Sequence, residues 1–203
     1  PKYRGAAPIN WAIINGETES GVTTFKLKHE IDTGSILYQQ KVSITENTTA
    51  GELHDDLMKV GASLILKTVK AIESGKIDLK VQDDSQAVHA PKIFKETCKI
   101  NWSQSPGKIY NLIRGLSPYP GAFTEFKDAQ GNIISLKIFS SLKEDSQHPH
   151  ASGFVTTDNK TYLNVACNGG YISVKELQLQ GKKKMLTEEF LRGYKFPDNT
   201  IFL

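Results

Sequence analysis

A short loop at residues 29–34, with the sequence His-Glu-Ile-Asp-Thr-Gly, carries the residue types best suited to chemistry. Asp32 lies between two β-branched stretches, at residues 22–27 and 35–42, a pattern that predicts two strands joined by a tight loop. A carboxylate at the end of a strand could orient a base. Asp32 can also hydrogen-bond its own backbone, and Gly34 can supply positive φ, so the same residues would form a structural turn. The residue types leave both interpretations open.

The elements that would position this loop follow an α/β pattern. Pro8 is suited to the first turn of a helix that Asn15 and Gly16 would end. Thr49 and Glu52 form a capping-box pattern at the start of a longer helix. Apolar residues three or four positions apart predict its buried stripe, namely Leu53, Leu57, Val60 and Leu64, widened by Ile65, Val69 and Ile72. A strand, loop, strand and long helix is typical of an α/β domain.

The second half of the chain has a different pattern. A short helix begins at Ser105-Pro106, and another helix begins at Thr187. Between them, turn residues separate short stretches of strand character at 122–127, 133–139, 153–157, 162–166 and 171–179. This spacing predicts a small barrel or sandwich. We therefore predict three parts, which are a first domain at 1–90, a linker at 91–104 and a second domain at 105–203.

The composition excludes several classes of protein. With 203 residues, 38% hydrophobic and 23% charged, the chain reads as globular and soluble, and no apolar run reaches the length of about 20 residues that a membrane span needs. Cys98 and Cys167 form no C-x-x-C pattern and are expected to be reduced thiols, although a disulfide between them stays open. His148 and His150 would bind a metal only with ligands from elsewhere, so no metal is expected.

Charge is distributed unevenly along the chain. Residues 1–90 carry 10 Lys and Arg against 12 Asp and Glu, a net charge of −2, whereas residues 91–203 carry 15 against 10, a net charge of +5. Together they give the net charge of +3. A basic second half would suit a polyanion-binding unit, and ordinary variation in surface charge is the alternative. The lysine run at 182–184 is either part of such a surface or a solvated loop.

The start of the sequence predicts a piece of a longer protein. Pro1 is not preceded by an initiator methionine, no signal-peptide pattern is present, and the chain opens in what reads as the middle of a loop. Arg4 lies just before a helix start, where it could meet an anion or pair with a neighbouring carboxylate.

Six sequence stretches together resemble one known family. They are PKYRGAAPINWAIINGE, GVTTFKLKHEIDTGSILYQQ, TAGELHDDL, INWSQSP, IRGLSPYPGAF and GKKKM. They cover essentially the whole chain, and they resemble the methionyl-tRNA formyltransferases within the formyltransferase superfamily. The resemblance implies an α/β fold, the C-terminal part of a Rossmann-like formyltransferase domain, followed by a small OB-like β-barrel domain.

The resemblance also implies an activity. Enzymes of this family transfer a formyl group from 10-formyltetrahydrofolate to the amino group of initiator methionyl-tRNA. Their catalytic trio is an Asn, a His and an Asp, and Asp32 matches the Asp. The Asn and His belong to a segment just upstream of a Leu-Leu-Pro whose proline is Pro1, and His29 cannot replace the family's His because it lies in the loop itself. The chain as it stands is therefore expected to be inactive.

Further site residues follow from the same resemblance. The loop would contact the folate, and its predicted folate-binding residues are His29, Glu30, Ile31, Thr33 and Gly34. The tRNA would be contacted by basic residues from both halves, namely Lys2, Arg4, Lys182, Lys183 and Lys184. The protein would be a cytoplasmic monomer with no metal and no membrane contact.

Two other functions stay open. A sugar-nucleotide N-formyltransferase would share the fold, the folate donor and the catalytic trio but would use a small acceptor. A non-catalytic RNA-binding module would be compatible with the small barrel and the basic second half. A glycinamide-ribonucleotide formyltransferase is disfavoured because that family lacks a barrel like residues 117–180.

Overall fold

The structure is a computed structural model, and it describes residues 1–29 and 32–203. The chain forms two compact units, Pro1–Ile93 and Phe94–Leu203. The boundary between them falls inside the stretch 91–104 that the sequence predicts as a linker. Trp102, from that stretch, is buried in the second unit, where its indole nitrogen donates a hydrogen bond to the Thr124 hydroxyl at 3.0 Å.

The first unit contains the loop that carries Asp32. Its helices and strands, within the described residues, are β1 (Tyr3–Gly5), α1 (Pro8–Ile14), β2 (Glu19–Phe25), β3 (Ile36–Ser43), α2 (Ala50–Glu73) and β4 (Val88–Ala90). Strands β2 and β3 pair antiparallel, which confirms the two predicted strands on either side of the loop. Strands β1 and β4 pair in parallel and were not predicted, because three-residue strands have too short a pattern to recognise.

Helix α2 begins with the predicted capping box. The Thr49 hydroxyl accepts from the Glu52 backbone N–H at 3.3 Å, and the Thr49 N–H donates to the Glu52 carboxylate at 2.8 Å. Leu53 and Leu64 are buried on the face that packs on α1, β2 and β3.

The predicted widening of the α2 stripe is wrong. Ile65, Val69 and Ile72 are 53%, 44% and 51% exposed. Each lies one position beyond a residue of the buried or half-buried face. Because a helix turns about 100° per residue, these side chains point sideways, away from the strands.

The second unit is a curled antiparallel sheet with two helices. Its elements are α3 (Pro106–Leu116), β5 (Ala122–Lys127), β6 (Ile133–Asp145), β7 (Val155–Thr157), β8 (Leu163–Cys167), β9 (Gly170–Leu179), β10 (Met185–Leu186) and α4 (Thr187–Gly193). The strand order is β5-β6-β9-β8-β7, with β10 also paired to β9. The five predicted strands are confirmed, and β6 extends six residues beyond its predicted end.

The C-terminal segment, residues 200–203, connects the two edges of this sheet. The Phe202 N–H donates to the Gly153 carbonyl, next to β7, at 2.8 Å, and the Leu203 N–H donates to the Glu125 carbonyl of β5 at 2.7 Å. The sheet therefore curls on itself around an aromatic core. Rings in this core lie with centroids 5.4–5.9 Å apart, from Trp102, Phe126, Phe196 and Phe202. None of the helices in the described part of the chain has the length and apolar character to span a membrane.

Candidate active site

The loop between β2 and β3 departs from its expected geometry in one respect. The left-handed backbone conformation is adopted by Asp32, with φ of 59°, rather than by Gly34. Aspartate is among the few residues with a side chain that tolerate this conformation. Gly34 serves a different purpose, because a Cβ atom at that position would lie 1.7 Å from the Lys26 carbonyl oxygen. The glycine therefore allows the close approach of the two sides of the loop.

Asp32 lines a cavity of about 440 Å³ in the first unit. The volume falls in the range of about 300–1,000 Å³ that is common for small-molecule sites. Its wall combines apolar side chains, such as Ile9, with carboxylates and lysines. Pro1 lies on the same wall, so the start of the chain and Asp32 face one cavity.

Gln82 forms hydrogen bonds with the backbone of the loop. Its side-chain amide nitrogen donates to the carbonyl oxygens of Asp32 at 2.8 Å and of Gly34 at 2.6 Å. Gln82 lies 48 and 50 positions further along the chain, and no local pattern marks it. Only the fold brings it to the loop.

Two predicted folate-loop residues, Glu30 and Ile31, lie outside the described residues. His29 is exposed, Thr33 is half-buried and Gly34 is buried. The role of these residues in folate binding stays a prediction.

Lys2 takes part in a network at the cavity wall. Its ammonium lies 2.6 Å from the Glu17 carboxylate, to which the Tyr3 hydroxyl also donates at 2.9 Å. Asn15 donates in turn to the Tyr3 oxygen at 3.0 Å. The hydrogen bond from Lys2, followed by the one from Tyr3, lowers the pKa of Glu17 below its ordinary value of 4.5.

We expect this network to make the first unit sensitive to acid. A carboxyl whose pKa is lower in the folded state stabilises the fold above its unfolded pKa, and this stabilisation is lost as the pH falls through the folded pKa. The free energy of unfolding, measured in urea, should therefore fall more between about pH 5 and pH 3 for the native protein than for Glu17→Gln. Equal pH dependence of the free energy of unfolding in both proteins would contradict the role of Glu17.

Arg4 is held by partners within the first unit. Its Nη1 lies 2.7 Å from the Asp84 carboxylate, Nη2 donates to the Gln82 side-chain oxygen at 3.0 Å, and Nε donates to the Pro1 carbonyl at 3.2 Å. The side chain is only 16% exposed. These contacts match the interpretation of Arg4 as a residue paired with a carboxylate, and its contact with tRNA stays a prediction.

The lysine loop of the second unit lies between β9 and β10. Lys182, Lys183 and Lys184 are all exposed. Lys184 lies 3.1 Å from the Glu176 carboxylate and over the ring of Phe139. Lys182 and Lys183 form no ion pair with any residue that the structure describes. The contact of these lysines with tRNA stays a prediction.

The histidines and cysteines of the second unit have structural contacts. The Nε2 of His148 lies 2.9 Å from the carbonyl oxygens of Cys167 and Gly170, so this nitrogen carries the proton. The two thiols, Cys98 and Cys167, are free and buried, and burial raises the pKa of Cys167 to about 11. Within residues 1–29 and 32–203, no group of three or more His, Cys, Asp and Glu could hold a metal ion.

Comparison with known families decides what kind of protein carries this site. Residues 1–69 match the family model described as formyl transferase, and residues 92–195 match the model of the formyl transferase C-terminal domain. The chain belongs to the formyl transferase family. The predicted fold class, an α/β fold with the C-terminal part of a Rossmann-like formyltransferase domain followed by a small OB-like β-barrel domain, is confirmed.

Individual members of the formyl transferase family match most of the chain. It is 49% identical to a methionyl-tRNA formyltransferase of Phocaeicola vulgatus, covering 98% of this chain and 63% of that protein. It is 48% identical to a methionyl-tRNA formyltransferase of Bacteroides fragilis, covering 96% of this chain and 61% of that protein. The chain thus spans a little over 60% of the length of these curated relatives.

A solved structure shows the same fold. An N-formyltransferase from Helicobacter canadensis, in complex with folinic acid and dTDP-3-aminofucose, superposes with a TM-score of 0.67. It is 24% identical, and the match covers 86% of this chain and 62% of that one.

Proposed function

We propose that the protein is a methionyl-tRNA formyltransferase, which transfers the formyl group of 10-formyltetrahydrofolate to the amino group of initiator methionyl-tRNA. The observation that carries this proposal is the identity of 48–49%, over at least 96% of the chain, to proteins of that name. The protein would act in the cytoplasm as a monomer, with no metal and no contact with membranes.

Asp32 is the residue of this chain that we place in the catalytic machinery. A neutral amine attacks the formyl carbon, and negative charge develops on the formyl oxygen as the tetrahedral intermediate forms. The intermediate then collapses, the bond from the formyl carbon to N10 of tetrahydrofolate breaks, and the proton lost by the amine is balanced by the proton that N10 takes up. The Asn and His implied by the family resemblance would stabilise that charge, and Asp32 would hold the His in position and favour its charged form. Asp32 and Pro1 line one cavity of the first unit.

The folate donor is assigned to the same cavity. Its volume suits a ring system, and the apolar side chains in its wall, such as Ile9, could cover one face of the pterin. His29, Glu30, Ile31, Thr33 and Gly34 are the proposed folate-loop residues. Binding of a folate analogue would also separate an enzyme from a non-catalytic RNA-binding module.

The test is an acceptor comparison with the protein at the length of its curated relatives. Formyl transfer from 10-formyltetrahydrofolate is measured with methionyl-tRNA and, separately, with a dTDP-linked amino sugar. We expect transfer to methionyl-tRNA alone. Transfer to the sugar alone would establish the sugar-nucleotide alternative, and transfer to neither, with folate bound, would overturn the proposed acceptor.

The lysine loop gives a separate prediction for tRNA binding. Lysines that contact phosphates release counterions, and each contributes about 0.9 to the slope of log affinity against log salt concentration. Changing Lys182 and Lys183 to glutamine should therefore weaken tRNA binding at low salt and reduce that slope by about 1 to 2. The control is Lys160→Gln, a change at an exposed lysine in another loop. An unchanged slope in the double variant would remove these lysines from the interface.

A further inference from the structure

We propose that Gln82 is a positioning residue, which holds the backbone of the Asp32 loop in the geometry that the formyl transfer reaction needs. The inference rests on the proposed function of Asp32. It deepens that proposal, because it assigns a role to a residue far from the loop in sequence.

Both N–H donors and the oxygen of the Gln82 side-chain amide have hydrogen-bond partners. A glutamine amide has two N–H donors, and here they meet two carbonyl oxygens, those of Asp32 and Gly34. Its oxygen accepts from the guanidinium of Arg4 at 3.0 Å. A flipped amide would place its oxygen against two carbonyl oxygens and its nitrogen against a cation, so only one orientation is compatible with these neighbours.

The residues around Gln82 fix its position. Arg4 is itself held by the Asp84 carboxylate at 2.7 Å, only two positions after Gln82 in the chain. On the other side, Lys80 exchanges two backbone hydrogen bonds with Ile36, the first residue of β3, at 2.7 and 2.9 Å. The segment that bears Gln82 is therefore anchored to the end of the loop and, through Arg4, to β1.

The contacts of Gln82 fall where the loop needs support. Asp32 adopts φ of 59°, a conformation that costs free energy for most residues with a side chain. The two carbonyls that accept from Gln82 belong to the residues on either side of Thr33. One side chain therefore holds the backbone both before and after Thr33. The direction of the Asp32 carboxylate depends on this backbone. Displacement of a catalytic group by about 1 Å can greatly reduce the rate of a reaction.

The test uses Gln82→Glu in the protein at the length of its relatives. This change keeps the size of the side chain, removes both N–H donors and directs carboxylate oxygens at two carbonyls. We expect kcat for formyl transfer to fall about 10-fold or more. The matched control is Gln86→Glu, the same change at an exposed glutamine in the same segment, which should leave the rate within about twofold.

A double-mutant cycle with Asp32→Asn distinguishes positioning from general support of the fold. If Gln82 acts through Asp32, then Gln82→Glu should cost little further activity, less than about twofold, once Asp32 is asparagine. An equal loss in both backgrounds, or no loss with Asp32 intact, would overturn the inference.

Hydrogen exchange provides a readout that does not depend on the acceptor. The backbone amides of residues 32–35 should exchange faster in Gln82→Glu than in the native protein and Gln86→Glu. Unchanged exchange would overturn the inference even if the enzyme is active. Faster exchange in a protein that does not formylate methionyl-tRNA would instead show that Gln82 does hold the loop and that the proposed function is wrong.

Discussion

Asp32→Asn is expected to reduce the rate of formyl transfer about 100-fold or more in the protein at the length of its relatives, while the fold persists. The size follows from the usual contribution of about 10²–10⁴ from positioned acid–base groups. Asparagine keeps the shape of the side chain and removes the charge that would orient the family's histidine and stabilise its protonated form. The loss should appear in kcat rather than in the affinity for folate.

The choice of asparagine follows from the backbone. At φ of 59° an alanine would add strain, and the loop itself would change. Asparagine tolerates this conformation as well as aspartate does. The carbonyl oxygen of residue 32 would still accept from Gln82, so the variant isolates the carboxylate.

Steady-state kinetics with methionyl-tRNA, together with folate-analogue binding, measure this prediction. The control is Asp128→Asn, the same change at a loop aspartate of the second unit, whose carboxylate accepts backbone hydrogen bonds from Gln130 at 2.9 Å and Asn132 at 2.8 Å. We expect the control to retain nearly the native rate. A near-native rate for Asp32→Asn would remove Asp32 from the catalytic machinery.

The sequence predicts the local parts of this fold well. The strands on both sides of the loop, the capping box of Thr49 and Glu52 and five strands of the second unit have short-range patterns, and these are found. The two-residue strand β10 has no such pattern and was not predicted. The prediction of a wider buried stripe on α2 was wrong. A helical pattern identifies apolar residues, but it does not show which of them pack against another element of the fold.

The candidate site is predicted less completely. Asp32 and its loop could be named from residue types and from the family resemblance, but Gln82 could not, because it reaches the loop only through the pairing of β1 with β4 and of Lys80 with Ile36. The partners of Arg4 were likewise hidden. A sequence does not show which carboxylate pairs with a given arginine, and Asp84 is 80 positions away from Arg4.

Gly34 and Gly61 form a matched pair whose alanine variants should change stability in opposite directions. A Cβ atom at Gly34 would lie 1.7 Å from the Lys26 carbonyl oxygen and 2.9 Å from the ring of Phe25. Since the first of these is a backbone atom, the hairpin itself must shift. Overpacking of this kind costs roughly 1–3 kcal/mol, and we expect Gly34→Ala to lie at the upper end of that range.

Gly61→Ala makes the same chemical change where there is room for it. Gly61 lies within α2, and its Cβ atom would meet the Val22 side chain at 3.7 Å, an ordinary contact distance. Alanine favours the helix over glycine by about 0.5–1 kcal/mol, so the first unit should become more stable by that amount.

Urea unfolding, with hydrogen exchange read from peptides of the first unit, measures both variants. Gly34→Ala should lower the unfolding midpoint and also weaken binding of a folate analogue, because the loop beside the cavity moves. Gly61→Ala should raise the midpoint and leave binding unchanged. If Gly34→Ala were as stable as the native protein, the close approach of the loop to Lys26 would be wrong, and so would the placement of Asp32 that depends on it.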